Sequence, residues 1–145
     1  MQDFLNVMES LVHRWETEGL ELLAPLPRDK VIARLNETGR KFSADVVTLY
    51  SLTGGMADCN MDSHCWSLWP LNQVLSEGLT NASRDLAFAD FLIYSHLYRF
   101  RVESEARSSV WIDYGDHADE EKAATTVAEF FEKLLLNPGS LQMFD

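Results

Sequence analysis

Residues 86–114 read LAFADFLIYSHLYRFRVESEARSSVWIDY, and this stretch decides the fold. Its first part, Leu86 to Tyr94, is apolar apart from Asp90, as expected of a central strand that is buried on both faces. Residues 97–102 and 110–114 then alternate between apolar and polar side chains, which is the pattern of a half-buried strand. The polar segment 103–109 between them is short enough for a hairpin. The stretch therefore predicts consecutive antiparallel strands.

Two helices are predicted ahead of this sheet. In the first segment apolar residues recur at the spacing of a helix face, at Phe4, Met8, Leu11 and Trp15. A second, shorter helix is predicted over residues 28–37, with its apolar side formed by Val31, Ile32 and Leu35. Two prolines make the connection between the helices a turn or an extended stretch. We expect residues 1–40 to form a helical N-terminal extension.

A third helix has clear signals at both ends. Ser43 is a good N-cap residue, and Asp45 lies in the first turn, where the helix dipole favours a carboxylate. The apolar side of this helix consists of Val46, Leu49 and Tyr50. The pair Gly54-Gly55 is predicted to end the helix through left-handed backbone conformations.

The remaining elements flank the central stretch. Residues 65–69 predict a short aromatic strand that Pro70 stops, and residues 71–75 a single helical turn. The last helix starts at Thr126, which has capping-box spacing to Glu129. Its apolar side consists of Val127, Phe130, Phe131, Leu134 and Leu135. Helices, then consecutive strands, then a helix indicate an α+β fold with a mostly antiparallel sheet, in one domain over residues 1–145.

The charge of the chain restricts its partners. Asp and Glu number 23 against 12 Lys and Arg, which gives a formal net charge of −11. Such a chain repels nucleic-acid phosphates and anionic lipid headgroups, and its field attracts basic partners. An equally good interpretation is that the acidity only keeps the protein soluble. We expect neither nucleic acid nor a membrane as the partner.

The sequence gives no sign of a targeting segment. Residues 1–6, MQDFLN, lack a basic region followed by a long apolar stretch, and the apolar run at residues 91–94 is too short to cross a bilayer. A cytoplasmic location is therefore expected. In that compartment Cys59 and Cys65 are expected to be free thiols instead of a structural disulfide.

Five residues of metal-ligating type crowd into eight positions: Asp58, Cys59, Asp62, His64 and Cys65. Structural zinc needs four ligands in a tetrahedron, and two cysteines six positions apart beside one histidine match no familiar ligand pattern. Asp58 and Asp62 also lack the spacing of an EF-hand loop. A polar loop is the preferred interpretation, and no metal or other cofactor is expected.

Catalytic groupings have little support in the sequence. Ser95 and His96 are adjacent, but neighbouring strand residues face opposite sides of a sheet and so cannot act as nucleophile and base for each other. His117 lies between Asp116 and Asp119 in a predicted surface loop, where packed carboxylates would raise its pKa. A hydrolase that uses these three residues ranks last among the candidate functions, because no motif supports it.

Acidic and aromatic residues are better candidates for a binding surface. The densest acidic stretch contains Asp113, Asp116, Asp119, Glu120 and Glu121. Such a stretch is usually a solvated surface, and an acidic binding patch is the alternative. Trp111 shares a strand face with Asp113 and would be an aromatic anchor if it pointed outward, although packing under a helix is slightly favoured. Trp66 and Trp69 are further candidate contacts, at the edge of the sheet.

Several segments, taken in order, resemble the SUKH superfamily. Residues 42–55, FSADVVTLYSLTGG, resemble its signature, in which a Leu-Pro pair opens a helix that closes on Asn-Gly or Gly-Gly. Residues 88–96 resemble its central strand, and residues 111–114 with the last helix resemble its usual ending. The likeness covers about residues 41–141. Phe42-Ser43 stands where Leu-Pro is expected, so residues 23–40 are either an inserted helix or a different entry to the fold.

The resemblance implies a non-enzymatic α+β scaffold around a curved sheet. Bacterial members of the family are commonly immunity proteins that neutralise polymorphic toxins, often nucleases, and eukaryotic members include regulators of cell-wall synthesis. The first role suits the charge of this chain, because a nuclease needs a basic surface that an acidic protein can mask. We expect an immunity protein that binds a basic toxin domain through Trp111 and residues 113–121. The alternative is an intracellular regulatory scaffold that binds a host protein.

Overall fold

The computed structural model describes residues 3–57, 60–79, 85–115 and 120–142. The helices and strands of these residues are, in chain order, α1 (Phe4–Thr17), α2 (Arg28–Asn36), α3 (Ala44–Leu52), β1 (Trp66–Leu68), α4 (Leu71–Glu77), β2 (Leu86–Phe91), β3 (His96–Val102), β4 (Ser108–Asp113), β5 (Glu121–Ala124) and α5 (Val127–Leu136). A 3-10 helix at Pro138–Leu141 follows α5. The predicted α+β class is confirmed.

The strands form one antiparallel sheet in the order β1-β2-β3-β4-β5, which is also their order along the chain. Short connections join β2 to β3 and β3 to β4, so each strand pairs with the one before it. In the β3–β4 pair, Arg99 opposes Trp111 and Phe100 opposes Val110. The hairpin predicted at residues 103–109 and the antiparallel sheet are therefore confirmed.

One face of the sheet, the inner face, is covered by α5. The inner face presents the buried side chains of Phe88, Tyr98, Phe100, Val110 and Ile112. Phe130 and Phe131 of α5 pack against Phe88, with ring centroids 5.8 and 6.4 Å apart. The start of α5 has the predicted cap, because the backbone N–H of Glu129 donates to Oγ1 of Thr126 at 3.0 Å. The helix therefore packs onto the sheet with its predicted apolar side.

The N-terminal helices contribute to the same core. The buried residues of α1 are Val7, Met8, Leu11 and Trp15. Trp15 stacks on Trp66 with 6.2 Å between ring centroids, and the guanidinium of Arg14 donates to the carbonyl of Leu135 near the end of α5. A cation at this position also interacts favourably with the helix dipole. Helices α1 and α2 thus share one hydrophobic core with the sheet and α5. None of the described helices combines the length and the apolar character that a membrane span requires.

The glycine pair after α3 is required by a close backbone approach as well as by conformation. Gly55 has a φ of +89°, in the left-handed region, whereas Gly54 does not need that region. The backbone N–H of Gly54 donates to the carbonyl of Leu23 at 3.0 Å, and a Cβ on Gly54 would lie 2.5 Å from that oxygen. The pair therefore brings the chain after α3 against the extended segment that precedes α2.

Five details of the sequence-based prediction are wrong. Helix α3 ends at Leu52 and is followed by an extended Thr53, so left-handed conformations of the two glycines do not end it. Strand β2 ends at Phe91 and not at Tyr94, because the next three residues have left-handed backbone conformations. Helix α4 extends to Glu77 instead of forming a single turn. Strand β5 was not predicted at all. Ile32 is exposed, because it lies a further 100° around α2 from Val31, which is buried.

Candidate protein-binding surface

The opposite face of the sheet, the outer face, is formed by polar and aromatic side chains of β3, β4 and β5. Its members are Arg99, Arg101, Trp111, Asp113 and Lys122. Alternation along each strand directs them away from α5, and the register brings Trp111 between Arg99 and Lys122. Arg101, Trp111 and Lys122 keep exposed surface on the outer face and are able to contact a partner, whereas Arg99 is buried in it.

Trp111 lies at the centre of the outer face and is half-buried. The guanidinium carbon of Arg101 lies 4.2 Å from the centroid of its ring, which is cation–π geometry. The indole N–H donates to Oγ of Ser109 at 2.9 Å, and that hydroxyl donates to Glu103 at 2.6 Å. No described helix covers Trp111, which lies on the face of the sheet away from α5, so the alternative that the sequence slightly favoured is wrong. The ring is held in one orientation and keeps part of its surface in solvent.

Arg101 connects two acidic side chains across this face. Its Nη2 lies 2.8 Å from Oδ2 of Asp85 and 2.6 Å from Oε1 of Glu120. The hydrogen bonds that Arg101 donates to Asp85 are the largest cause that raises the pKa of Arg101, so the guanidinium stays charged. Because one cation serves two carboxylates and an aromatic ring, the arrangement is rigid as well as polar.

Arg99 forms the second ion pair, and it is almost completely buried. Its side chain is 5% exposed, and its Nε and Nη2 contact Oδ2 of Asp113 at 2.8 and 2.7 Å. Burial acts to raise the pKa of Asp113, but hydrogen bonds from the N–H of Gly115 and from Arg99 lower it further, and the net shift is downward. Among the described residues, Nη1 of Arg99 has no hydrogen-bond partner. Asp113 is thus the partner that makes a buried guanidinium tolerable.

The predicted acidic residues are only partly free to meet a partner. Asp113 and Glu120 are paired with arginines, and Glu121 accepts a hydrogen bond from the hydroxyl of Tyr114 at 2.8 Å. Asp116 and Asp119, predicted in the same stretch, lie outside the described residues. The described part of the acidic stretch is therefore an organised network at the edge of the outer face.

Trp66 and Trp69 do not belong to any surface, so their prediction as contact residues is wrong. Both rings are buried in the core. Trp66 packs 5.9 Å from the ring of Phe130, and the indole N–H of Trp69 donates to Oδ2 of Asp90 at 2.7 Å. A three-residue strand carries too little alternation for the sequence to show which of its side chains face inward.

Among the residues considered for a metal site, Asp62 organises a loop. Asp62 is buried, and its Oδ1 accepts from the backbone N–H groups of His64 and Trp66 at 2.9 and 3.0 Å. Its Oδ2 accepts from the indole of Trp15 at 3.3 Å. Cys65 is a free, half-buried cysteine, while Asp58 and Cys59 lie outside the described residues. In the described part of the chain, no three His, Cys, Asp or Glu side chains are grouped to share a metal ion.

Ser95 and His96 contact other groups and not each other, but Ser95 lies in the turn before β3, so the two are not neighbouring strand residues as predicted. The hydroxyl of Ser95 donates to the carbonyl of Leu92 at 3.2 Å. The ring of His96 stacks on Phe91 with 4.9 Å between centroids, and burial lowers its pKa. His117, the other histidine considered for catalysis, lies outside the described residues. The neutral imidazole of His96, stacked on Phe91 at the start of β3, therefore contributes to packing.

One exposed feature of the structure was not predicted from the sequence. The turn between β2 and β3 spans residues 92–95. Its first three residues, Leu92, Ile93 and Tyr94, are here called the tip, and all three side chains are exposed. Because these side chains are apolar, and because the turn contains none of the glycine, asparagine or proline residues that mark turns, the strand was predicted to continue through them. The sequence signal that could have revealed the turn is the length of the apolar run, which exceeds a typical strand of five or six residues.

Comparisons of the chain with the models of known protein families, with curated proteins and with solved structures find no match.

Proposed function

We propose that this protein is a non-enzymatic binding domain of the immunity type, which neutralises a basic toxin domain such as a nuclease. The observation that carries the proposal is the outer face, where Trp111 is fixed between Arg101 and Ser109 and borders several carboxylates. A rigid, partly exposed tryptophan inside a polar rim has the chemistry of an interface hot spot. Such a residue loses little side-chain entropy on binding, because it is already ordered.

The charge of the molecule supports a basic partner. The net charge of −11 produces a negative field around the whole protein, and opposite fields accelerate the encounter of two proteins. A nuclease domain carries the required positive surface, because it must hold a phosphate backbone. An acidic protein seated on that surface would block the access of nucleic acid.

The buried acidic groups support a binding role over a catalytic one. Asp62 and Asp90 both have raised pKa values, and burial is the largest cause in each case. Perturbed carboxylates mark catalytic sites only when they face a cleft that substrate can enter. Here Asp62 accepts hydrogen bonds from Trp15 and from two backbone groups, and Asp90 accepts one from Trp69. Both carboxylates therefore serve the internal structure of the protein.

The test is a binding and rescue experiment with the toxin-like product of the neighbouring gene. The purified protein should form a complex with that product, and its expression should rescue cells that produce the toxin. Trp111→Ala should raise the Kd about 30-fold, which corresponds to about 2 kcal/mol for the loss of an aromatic anchor. Leu136→Ala is the matched control, because Leu136 is exposed on α5, on the other side of the sheet.

Two results would decide against the proposal. Absence of both complex formation and rescue would refute the immunity role for that pair, and a gene neighbourhood without a toxin would favour a regulatory scaffold that binds a host protein. An unchanged Kd for a folded Trp111→Ala variant would exclude the outer face as the contact surface.

A further inference from the structure

The tip has a backbone conformation that its residues rarely adopt. The φ angles of Leu92, Ile93 and Tyr94 are +49°, +50° and +68°, so three consecutive residues other than glycine are left-handed. Left-handed conformations bring Cβ close to the following carbonyl oxygen, and a β-branched residue such as Ile93 is the least suited to them. Strain of this kind persists only where the surrounding structure imposes it, and it concentrates at functional sites.

Backbone hydrogen bonds hold the tip in this conformation. The N–H of Leu92 donates to the carbonyl of Cys65 at 2.9 Å, which ties the tip to the start of β1. The N–H of Ser95 donates to the carbonyl of Phe91 at 3.0 Å and closes the turn. The buried carboxylate of Asp90 accepts a hydrogen bond from the backbone of Tyr94. The first and last residues of the tip are therefore both held by hydrogen bonds.

The side chain of Tyr94 braces the tip against α4. Its hydroxyl donates to Oε1 of Glu77 at 2.7 Å and accepts from Nε2 of Gln73 at 3.2 Å. The ring also lies 5.9 Å from that of Trp69. Partial burial and the hydrogen bond to Glu77 raise the pKa of Tyr94 to about 12, so the hydroxyl remains a donor at neutral pH. The tip is thus a preformed and rigid structure.

The apolar side chains on this rigid support face solvent. Ile93 is 70% exposed, Tyr94 50% and Leu92 37%. A single exposed apolar residue is ordinary, but three in succession on a strained and braced turn form a small apolar patch. Folding would be easier with asparagine or glycine in this turn. Ile93 therefore keeps an apolar side chain at a position where the isolated protein buries little of it.

The charges around the tip indicate what it fits. The carboxylate of Glu77, which is partly exposed, lies at its base, and Asp90 is buried beneath it. Behind it, a cleft of about 280 Å³ contains the nearest cation of β3, Arg99, which is buried and already paired with Asp113. Charge complementarity therefore favours a partner surface in which basic residues surround an apolar recess.

We propose that Leu92, Ile93 and Tyr94 form a knob that inserts into an apolar recess, rimmed by Lys or Arg, on the partner protein. This inference rests on the proposed function and adds a second contact region, at one end of the sheet. A preordered knob binds without the entropy cost of ordering a loop, so its strain in the free protein becomes useful in the complex.

The experiment measures the Kd of the purified neighbouring-gene toxin domain for the wild type, Ile93→Asp and Ile93→Asn. We expect Ile93→Asp to raise the Kd at least 30-fold, because it places a charge in an apolar recess. Ile93→Asn should also weaken binding, yet it should raise the urea midpoint of the free protein by about 0.3 M, because asparagine tolerates the left-handed region. Leu136→Asp is the matched control at an exposed leucine, and its Kd should equal that of the wild type.

The outcomes separate the two proposals. If the wild type does not bind, both the immunity role and the knob are refuted for this toxin. If the wild type and a folded Ile93→Asp variant bind equally, the knob alone is refuted and the immunity role stands. Dimerisation of the free chain, or binding to vesicles of neutral and anionic phospholipid, would also overturn the proposed partner if either one depended on Ile93.

Discussion

Replacing Asp113 with alanine should destabilise the protein strongly, because it leaves the buried guanidinium of Arg99 without a counter-charge. The side chain of Arg99 is 5% exposed and that of Asp113 is 25% exposed. Two nitrogens of Arg99 contact the same carboxylate oxygen, and its third nitrogen has no hydrogen-bond partner among the described residues. After the substitution, Nε and Nη2 of Arg99 would lose the acceptor that Asp113 provides, and Nη1 already lacks one among the described residues.

The expected loss follows from this geometry. Removing one partner of a buried ion pair costs about 3–5 kcal/mol, and we take about 3 kcal/mol because water reaches part of Asp113. A domain of this size has a total stability of about 5–15 kcal/mol, so the loss is a large fraction. With a urea m value of about 2 kcal/mol/M, the unfolding midpoint should fall by about 1.5 M.

Urea unfolding followed by tryptophan fluorescence measures this loss, and a double-mutant cycle interprets it. Arg99→Met replaces the buried cation with an apolar side chain of similar length and should cost less than Asp113→Ala. The double variant should be more stable than Asp113→Ala alone, because no unpaired charge remains. A loss below about 0.5 kcal/mol for Asp113→Ala, or a double variant no more stable than it, would refute the reasoning.

The pH dependence gives an independent check of the same pair. The pKa of Asp113 is lowered in the folded protein. Its stabilisation is therefore fully present above the unfolded value of about 3.9 and is lost as the pH falls through the folded value. The difference in stability between the wild type and Asp113→Ala should shrink below about pH 4.

Three further substitutions test other parts of the structure by the same unfolding assay. Asp62→Ala should cost about 3 kcal/mol, because the indole of Trp15 and two backbone N–H groups lose their acceptor. Burial raises the pKa of Asp90, so its ionisation lowers stability as the pH rises above about 4. The stability of Asp90→Asn relative to the wild type should therefore increase over that range and become constant above the raised pKa. Gly54→Ala would place a Cβ 2.4 and 2.5 Å from two backbone carbonyl oxygens and should cost several times the roughly 1 kcal/mol of Gly19→Ala, whose Cβ would meet open space.

Most of the fold could be predicted from the spacing of apolar side chains along the sequence. Strands β3 and β4 alternate cleanly, so their faces and their hairpin could be predicted without structural information. Helix α5 combines an apolar stripe with a capping signal at Thr126, and both are present in the structure. In each case the local preference of the chain agrees with its tertiary environment, which is the condition under which sequence patterns are reliable.

Elements fixed by tertiary contacts could not be predicted in this way. The turn at Leu92–Tyr94 contains no turn residues. Its conformation is held by groups distant in sequence, because Leu92 donates to the carbonyl of Cys65 and the hydroxyl of Tyr94 donates to Glu77. Strand β5 has the sequence EKAA, without β-branched or aromatic residues, and it forms because β4 offers an unpaired edge.

The candidate site was predicted less well than the fold, for two physical reasons. The orientation of Trp111 depends on whether a helix covers its side of the sheet, and no local pattern contains that information. The acidic stretch was predicted from charge alone, whereas the availability of Asp113 and Glu120 depends on arginines from the neighbouring strand. Pairing across strands becomes visible only when the register is known.

Long-range charge and contact energy come from different parts of this molecule. The net charge of −11 belongs to the whole surface, whereas the carboxylates of Asp113 and Glu120 already have arginine partners. A basic partner that takes these carboxylates must displace the arginines, so the exchange adds little net energy. The proposed complex should therefore associate more slowly as ionic strength rises. Substitution of Trp111 or Ile93, in contrast, should act through faster dissociation, because these side chains supply the apolar contacts.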